Sequence, residues 1–132
     1  MQAILRSDLR LAKRWFFGAL AALAFVFLLA LLPNFSKPPD TRYLDKVAHF
    51  FGFMGLMILF SGVLLPRLRL WVFLLLAMCG GLIEVLQVPV PGRSAEMADI
   101  YADILGLATG WLIVQAGIAD WCLWLEKRMG LV

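Results

Sequence analysis

Asp45 and His49 stand four residues apart, as do Asp99 and Asp103, while Glu84 and Gln87 stand three apart. On a helix these spacings put each pair on one face. His49 is the only histidine in the chain, and its ordinary pKa of about 6.5 suits it to carry a proton near neutrality. Three chemistries are open to such a set. A neutral His49 bonded to Asp45 or to a backbone carbonyl would simply orient its helix. Paired with a carboxylate it would work as a general acid or base, which makes His49, Glu84 and Asp99 the catalytic candidates. With Glu84, Asp99 and Asp103 as oxygen donors it would hold zinc or manganese. Neither an H-x-x-x-H nor a C-x-x-C spacing is present, however, so no metal site is assigned and no cofactor is named. Ser94 lacks the elbow motif of a serine nucleophile. Arg93 is expected to reach Glu84 or Asp99 as a bidentate donor. A buried Glu84–Arg93 ion pair would then lock two helices, and Arg93 would also be able to meet an anionic head group.

The elements that must position these groups are apolar. Of the 132 residues 63% are hydrophobic and 16% charged, against roughly 45–50% apolar usage in soluble domains. The excess must face lipid. Four long apolar runs read as membrane-spanning helices, about Trp15–Leu32, Val47–Leu65, Leu70–Val88 and Ile100–Ile118. No soluble domain fits in the remainder, so the expectation is one domain over residues 1–132, an all-α four-helix transmembrane bundle. The N-terminus, with Arg6, Arg10, Lys13 and Arg14 before an apolar run, mimics a signal peptide. The run exceeds the usual length of about 7–15 residues and no A-x-A cleavage site follows, so it reads as a retained helix.

Lys and Arg favour the cytoplasmic side. Arg6, Arg10, Lys13, Arg14, Arg67, Arg69, Lys127 and Arg128 make eight on one side, against Lys37, Arg42, Lys46 and Arg93 on the other. Both termini are therefore expected in the cytoplasm and the polar groups at the outer face of the cytoplasmic (inner) membrane. Trp15, Trp71, Trp121 and Trp124 fall at the inner ends and Tyr43 and Tyr101 at the outer ends, as interfacial aromatics do. Since topology places the cations, the net charge of +3 does not indicate nucleic-acid binding. The loop Pro33–Leu44, with Pro33, Pro38 and Pro39, reads as stiff and non-helical. Cys79 at mid-depth and Cys122 near one end of the fourth helix differ too much in depth for a disulfide.

An ionised group at mid-bilayer costs about 2.5–3.5 kcal/mol on the gentler insertion scale. Asp45, Lys46 and Asp99 lie close enough to the interface to be wet, while His49, Glu84 and Asp103, about one turn deeper, need partners. Below them lie Gly52 and Gly55, Gly80 and Gly81, and the G-x-x-x-G pair Gly106 and Gly110. These read as a seam of close helix packing rather than a pore. The first helix carries no polar residue and is expected to be peripheral.

Asp45-Lys46-x-x-His49-Phe50, then Glu84-x-x-Gln87, then Pro91-Gly92-Arg93-Ser94-x-Glu96-x-x-Asp99-x-x-x-Asp103-x-x-Gly106-x-x-x-Gly110 resembles the VanZ-like family of small bacterial membrane proteins. The resemblance covers about residues 45–118. It departs at Asp103, where the family pattern usually has Asn. The family takes its name from a protein linked to teicoplanin resistance, so the resemblance implies a role in the cell envelope. Two functions are carried forward. In the first, Asp45, Lys46, His49, Glu84, Gln87, Arg93, Asp99 and Asp103 bind an envelope lipid, a cell-wall precursor or a glycopeptide antibiotic, with membrane lipids as partners. In the second, a small intramembrane enzyme acts on a lipid-linked phosphate or ester through His/carboxylate acid–base chemistry. The sequence gives no oligomeric state.

Overall fold

A computed structural model describes residues 3–33 and 42–132. Its helices are α1 (Ala12–Leu31), α2 (Arg42–Val63), α3 (Arg69–Gln87), α4 (Met97–Gln115) and α5 (Trp121–Arg128), with single 3-10 turns at Pro66–Leu68 and Ile118–Asp120. Among the described residues four helices are long and apolar enough to cross a membrane. At about 1.5 Å per residue, 19 to 22 residues span close to the hydrocarbon thickness. Most of the loop expected over Pro33–Leu44 lies outside the described residues, apart from its end, where α2 has already begun.

Local sequence explains where the helices stop. Pro66 begins the 3-10 turn that leads into α3, at a position where its missing N–H costs nothing. Pro89 follows the end of α3, and Gly92, at φ 74, makes the left-handed turn toward α4. Gly117, at φ 108, ends α4 and turns the chain into Ile118–Asp120.

The core is a column of side chains between α2, α3 and α4, with Phe53, Met57, Ile83 and Leu107 fully buried. α2 and α4 form the closest helix pair. A Cβ on Gly106 would collide with the carbonyl of Phe50, and one on Gly110 would lie 2.7 Å from the carbonyl of Met54. These two glycines bring the backbones together, as their spacing predicts. The rest of the expected seam is different. Gly52 faces Val26 of α1, and Gly55 and Gly81 face open space. The outward surface is a belt of large apolar residues, among them Phe17, Trp71, Met78, Val85 and Leu112.

The two ends of the bundle are built differently. At one end the N-terminal segment, the α2–α3 turn and α5 meet. Leu5 and Leu64 form a backbone bridge, Arg6 pairs with Asp8 and Asp120, and its guanidinium holds the Asp8 carboxyl below the usual carboxylate range. Glu126 of α5 is fully buried. Its carboxylate accepts the N–H groups of Arg10 at 2.7 Å and Leu11 at 2.9 Å, and Trp15 Nε1–H at 2.8 Å. α1 has no side-chain cap from its own N-cap residue, and α5 supplies an acceptor instead. From the sequence these segments were expected to supply orienting charge and interfacial aromatics, not a helix-capping carboxylate. Cys122 belongs to α5, not to the fourth span, and both cysteines are free thiols. Burial pushes the Cys122 thiol up to about 12.

Candidate functional site

The other end gathers the polar groups. α2 and α4 contribute their first turns and α3 its last, so residues near these three ends share one depth. His49, Glu84, Gln87, Asp99 and Asp103 are all buried, Asp103 to 1% exposure. Apolar periodicity forces this. The faces that bury Phe53 and Met57 on α2, Ile83 on α3 and Leu107 on α4 continue upward into His49, Gln87 and Asp103, each one helical turn away.

Across the α2–α4 contact His49 Nδ1 lies 2.9 Å from Asp103 Oδ1. A carboxylate only accepts, so Nδ1 carries the hydrogen and a neutral ring keeps its lone pair on Nε2. The partner is Asp103, not the Asp45 or backbone carbonyl considered from the sequence. The other Asp103 oxygen, Oδ2, rests against Gly80, where a Cβ would strike it. Gly80 is thus a notch in α3 that admits a carboxylate from α4.

Glu84 Oε2 accepts the backbone N–H of Glu96 at 2.7 Å. Glu96 is the N-cap residue of α4, so a carboxylate from α3 sits at a helix N-terminus, where negative charge is favoured. Lys46 Nζ donates to Glu96 Oε2 at 2.7 Å and to Asp99 Oδ1 at 3.2 Å. Ser94 Oγ donates to Glu96 Oε1 at 3.2 Å. Among the described residues Glu84 Oε1 and Asp103 Oδ2 are buried with no hydrogen-bond partner. One ligand-type atom each from His49, Glu84 and Asp99 lies within 4.8 Å of the others.

The expected Glu84–Arg93 ion pair does not form among these residues. Arg93 Nη1 pairs with Asp45 at 3.3 Å. Its Nε and Nη2 donate to the carbonyls of Leu32 at 3.1 Å and Leu29 at 3.0 Å. Gln87 Nε2 donates to the carbonyl of Ala30 at 3.0 Å. The physical reason is the end of α1. Its last carbonyls have no intrahelical partners, and in lipid each would be costly. Arg93 and Gln87 satisfy them, and a cation suits a helix C-terminus. No spacing in α1 itself could have revealed this, because the donors lie 57 to 64 residues away.

The same contacts make α1 a wall of the site. Only Ala19 and Ala30 of this helix are buried, so most of it faces lipid, in keeping with the peripheral position expected. Its terminal turns nevertheless enclose a cleft of about 270 Å³ with α2. Phe25, Val26, Leu29 and Ala30 form the apolar side, and Asp45, His49 and Arg93 the polar side. Of the eight side chains marked from sequence, His49, Glu84, Asp99 and Asp103 converge directly, and Lys46 joins them through Asp99. Asp45, Arg93 and Gln87 instead tie α1 to the cluster.

Comparison with protein families finds that residues 12–119 match the model of one family, described as VanZ/LLP1. The match starts at Ala12 and so takes in α1, which the motif resemblance omitted. Comparison with curated proteins and with solved structures finds no match.

Proposed function

We propose, from the premise that the chain belongs to the VanZ/LLP1 family, that this multi-pass membrane protein binds an amphiphilic component of the bacterial cell envelope at the outer leaflet of the cytoplasmic membrane. The observation that carries the reading is the cleft between α1 and α2. Phe25 and Leu29 on its rim are 57% and 46% exposed, in a helix whose outward face suits lipid. At its polar side stand His49, Asp45 and Arg93. An apolar wall open to lipid beside a few placed polar groups suits a molecule with a chain in the bilayer and a polar head at the interface. Envelope lipids, lipid-linked cell-wall precursors and lipoglycopeptide antibiotics of the teicoplanin type share this plan.

Native mass spectrometry of the purified protein tests it. The wild type should retain an amphiphile of defined mass. Phe25→Asp should reduce its retention while the apolar spans still insert. Loss-of-mass spectra identical for wild type and variant, with no bound species in either, would overturn the reading.

The His49–Asp103 pair favours a second reading. A buried carboxylate on Nδ1 orients an imidazole as it is oriented in a general base, with Glu84 and Asp99 as further acid–base candidates. The protein would then be a small intramembrane enzyme cleaving a lipid-linked phosphate or ester. Turnover of such a substrate by the wild type, lost in His49→Gln, distinguishes it from binding alone.

A further inference from the structure

We propose that His49, Glu84 and Asp99 form a binding site for one divalent cation of the zinc or manganese class. The inference goes beyond amphiphile binding and does not depend on it, because the metal can be measured alone.

Geometry comes first. The three ligand atoms come from α2, α3 and α4, all three residues are buried, and the atoms lie within 4.8 Å of one another. Metal–ligand bonds of about 2.0–2.2 Å place neighbouring tetrahedral ligands roughly 3.4 Å apart. Binding an ion would draw the three atoms together by that difference.

Two further observations favour a cation at this place. Glu84 Oε1 is a buried carboxylate oxygen with no partner among the described residues, in a side chain only 4% exposed. Leaving such an acceptor unsatisfied costs free energy that a metal bond would remove. The charge balance agrees. Glu84, Asp99 and Asp103 are three buried carboxylates, and among the described residues the Lys or Arg paired with any of the three is Lys46, on Asp99 at 3.2 Å. A divalent ion would offset the surplus.

Asp103 has a defined part in this arrangement. Metal-bound histidines nearly always donate their second ring N–H to a carboxylate or carbonyl, which fixes the tautomer and the ring plane. The 2.9 Å contact between His49 Nδ1 and Asp103 Oδ1 does this and leaves Nε2 as the ring donor for a metal. Asp103 is therefore a positioning residue. One imidazole with two carboxylates is a donor set for zinc or manganese, and the absence of a sulfur donor disfavours copper(I). Water or a ligand's phosphate or carboxylate oxygen would complete the coordination.

The test uses the full chain in detergent, stripped with chelator and titrated with Zn²⁺, Mn²⁺ and, as a spectroscopic probe, Co²⁺. Calorimetry and elemental analysis should give one equivalent per chain, and Co²⁺ should develop visible ligand-field bands. His49→Ala and Glu84→Gln should lose that equivalent. Asp103→Ala should weaken it by about 10- to 100-fold, the usual effect of removing an orienting partner. Thr109→Val, on α4 outside the cluster, should leave it unchanged. Lys46→Met should tighten binding, because the ammonium competes for Asp99. This gain does not depend on a damaged protein failing to bind. A stripped wild type that takes up none of the three ions, or equal uptake by wild type and His49→Ala, would overturn the proposal. Metal uptake without retained amphiphile would leave the site standing and remove the amphiphile reading.

Discussion

Asp103 shows what one residue choice does to the site. Its Oδ1 holds His49, and its Oδ2 lies unpaired in the notch at Gly80. Asn would keep an acceptor for Nδ1–H and put an amide where the lone oxygen now sits. Asp103→Asn should therefore fold and insert normally and be the mildest change in the cluster. Complementation of a deletion strain under glycopeptide or envelope stress, with expression checked by blot, measures this. Asp103→Leu in the same assay should fail. Glu126 makes the complementary case at the other end. Removing its carboxylate strands three donors, and each unsatisfied buried group costs about 1–3 kcal/mol. Glu126→Ala should lower the thermal unfolding temperature in detergent clearly, while Glu126→Gln, which keeps one acceptor oxygen, should fall between it and wild type. Cys122 is fully buried with its thiol raised to about 12, so at neutral pH it is neither ionised nor accessible. A maleimide should leave it unlabelled until the protein is denatured. The sequence made the site legible at this scale where chemistry and spacing coincide, as for His49, Glu84 and Asp99. It did not reveal that Asp103 rather than Asp45 holds the imidazole. That choice depends on which faces of α2 and α4 meet, and a one-dimensional pattern does not specify it.

Among the elements, the spans were legible because length and apolarity in lipid are strong constraints. Each boundary moved by only a few residues, and α2 starts earlier than its apolar run because Arg42–Lys46 continue the helix into the polar layer. α5 was missed because eight residues containing Glu126, Lys127 and Arg128 do not form an apolar run. Cys122 and Glu126, four apart and both buried, show which face of it packs inward. The glycines divide by environment. Gly106→Ala drives a methyl into the Phe50 carbonyl, a backbone atom that cannot turn aside. It should cost about 1–3 kcal/mol, as overpacking does, and loosen α2 from α4. Gly55→Ala and Gly81→Ala meet open space and should melt like wild type. Thermal unfolding of the three variants in one detergent checks the contrast, and equal losses would mean that the α2–α4 contact is not the special one. Gly18→Leu on α1 also meets open space and should do little.

For the whole molecule, the residues before α1 and those of α5 meet at the end opposite the polar cluster. From the Lys/Arg bias of eight to four we propose that this shared end lies in the cytoplasm. A periplasm-active reporter inserted after Gly92 should be active and one fused after Val132 silent. Activity at the latter position would invert the protein and put the His49 cluster on the cytoplasmic side. Global charge asymmetry was readable from sequence because it needs no contact to be known, whereas the closing of one end by α5 required the fold. That closure also imposes an order of events during synthesis. Arg10 and Leu11 leave the ribosome early, and their acceptor Glu126 follows 116 and 115 residues later. At roughly 5–20 residues per second, the start of the first inserted helix waits on the order of 6–23 s for its cap. By then all four spans have been made. Throughout that interval the first helix is held only by lipid and by whichever neighbours have arrived. The last short helix acts as a latch, fastened after the rest of the bundle has been synthesised, and a chain interrupted before Glu126 would present the membrane's proteases with an open end.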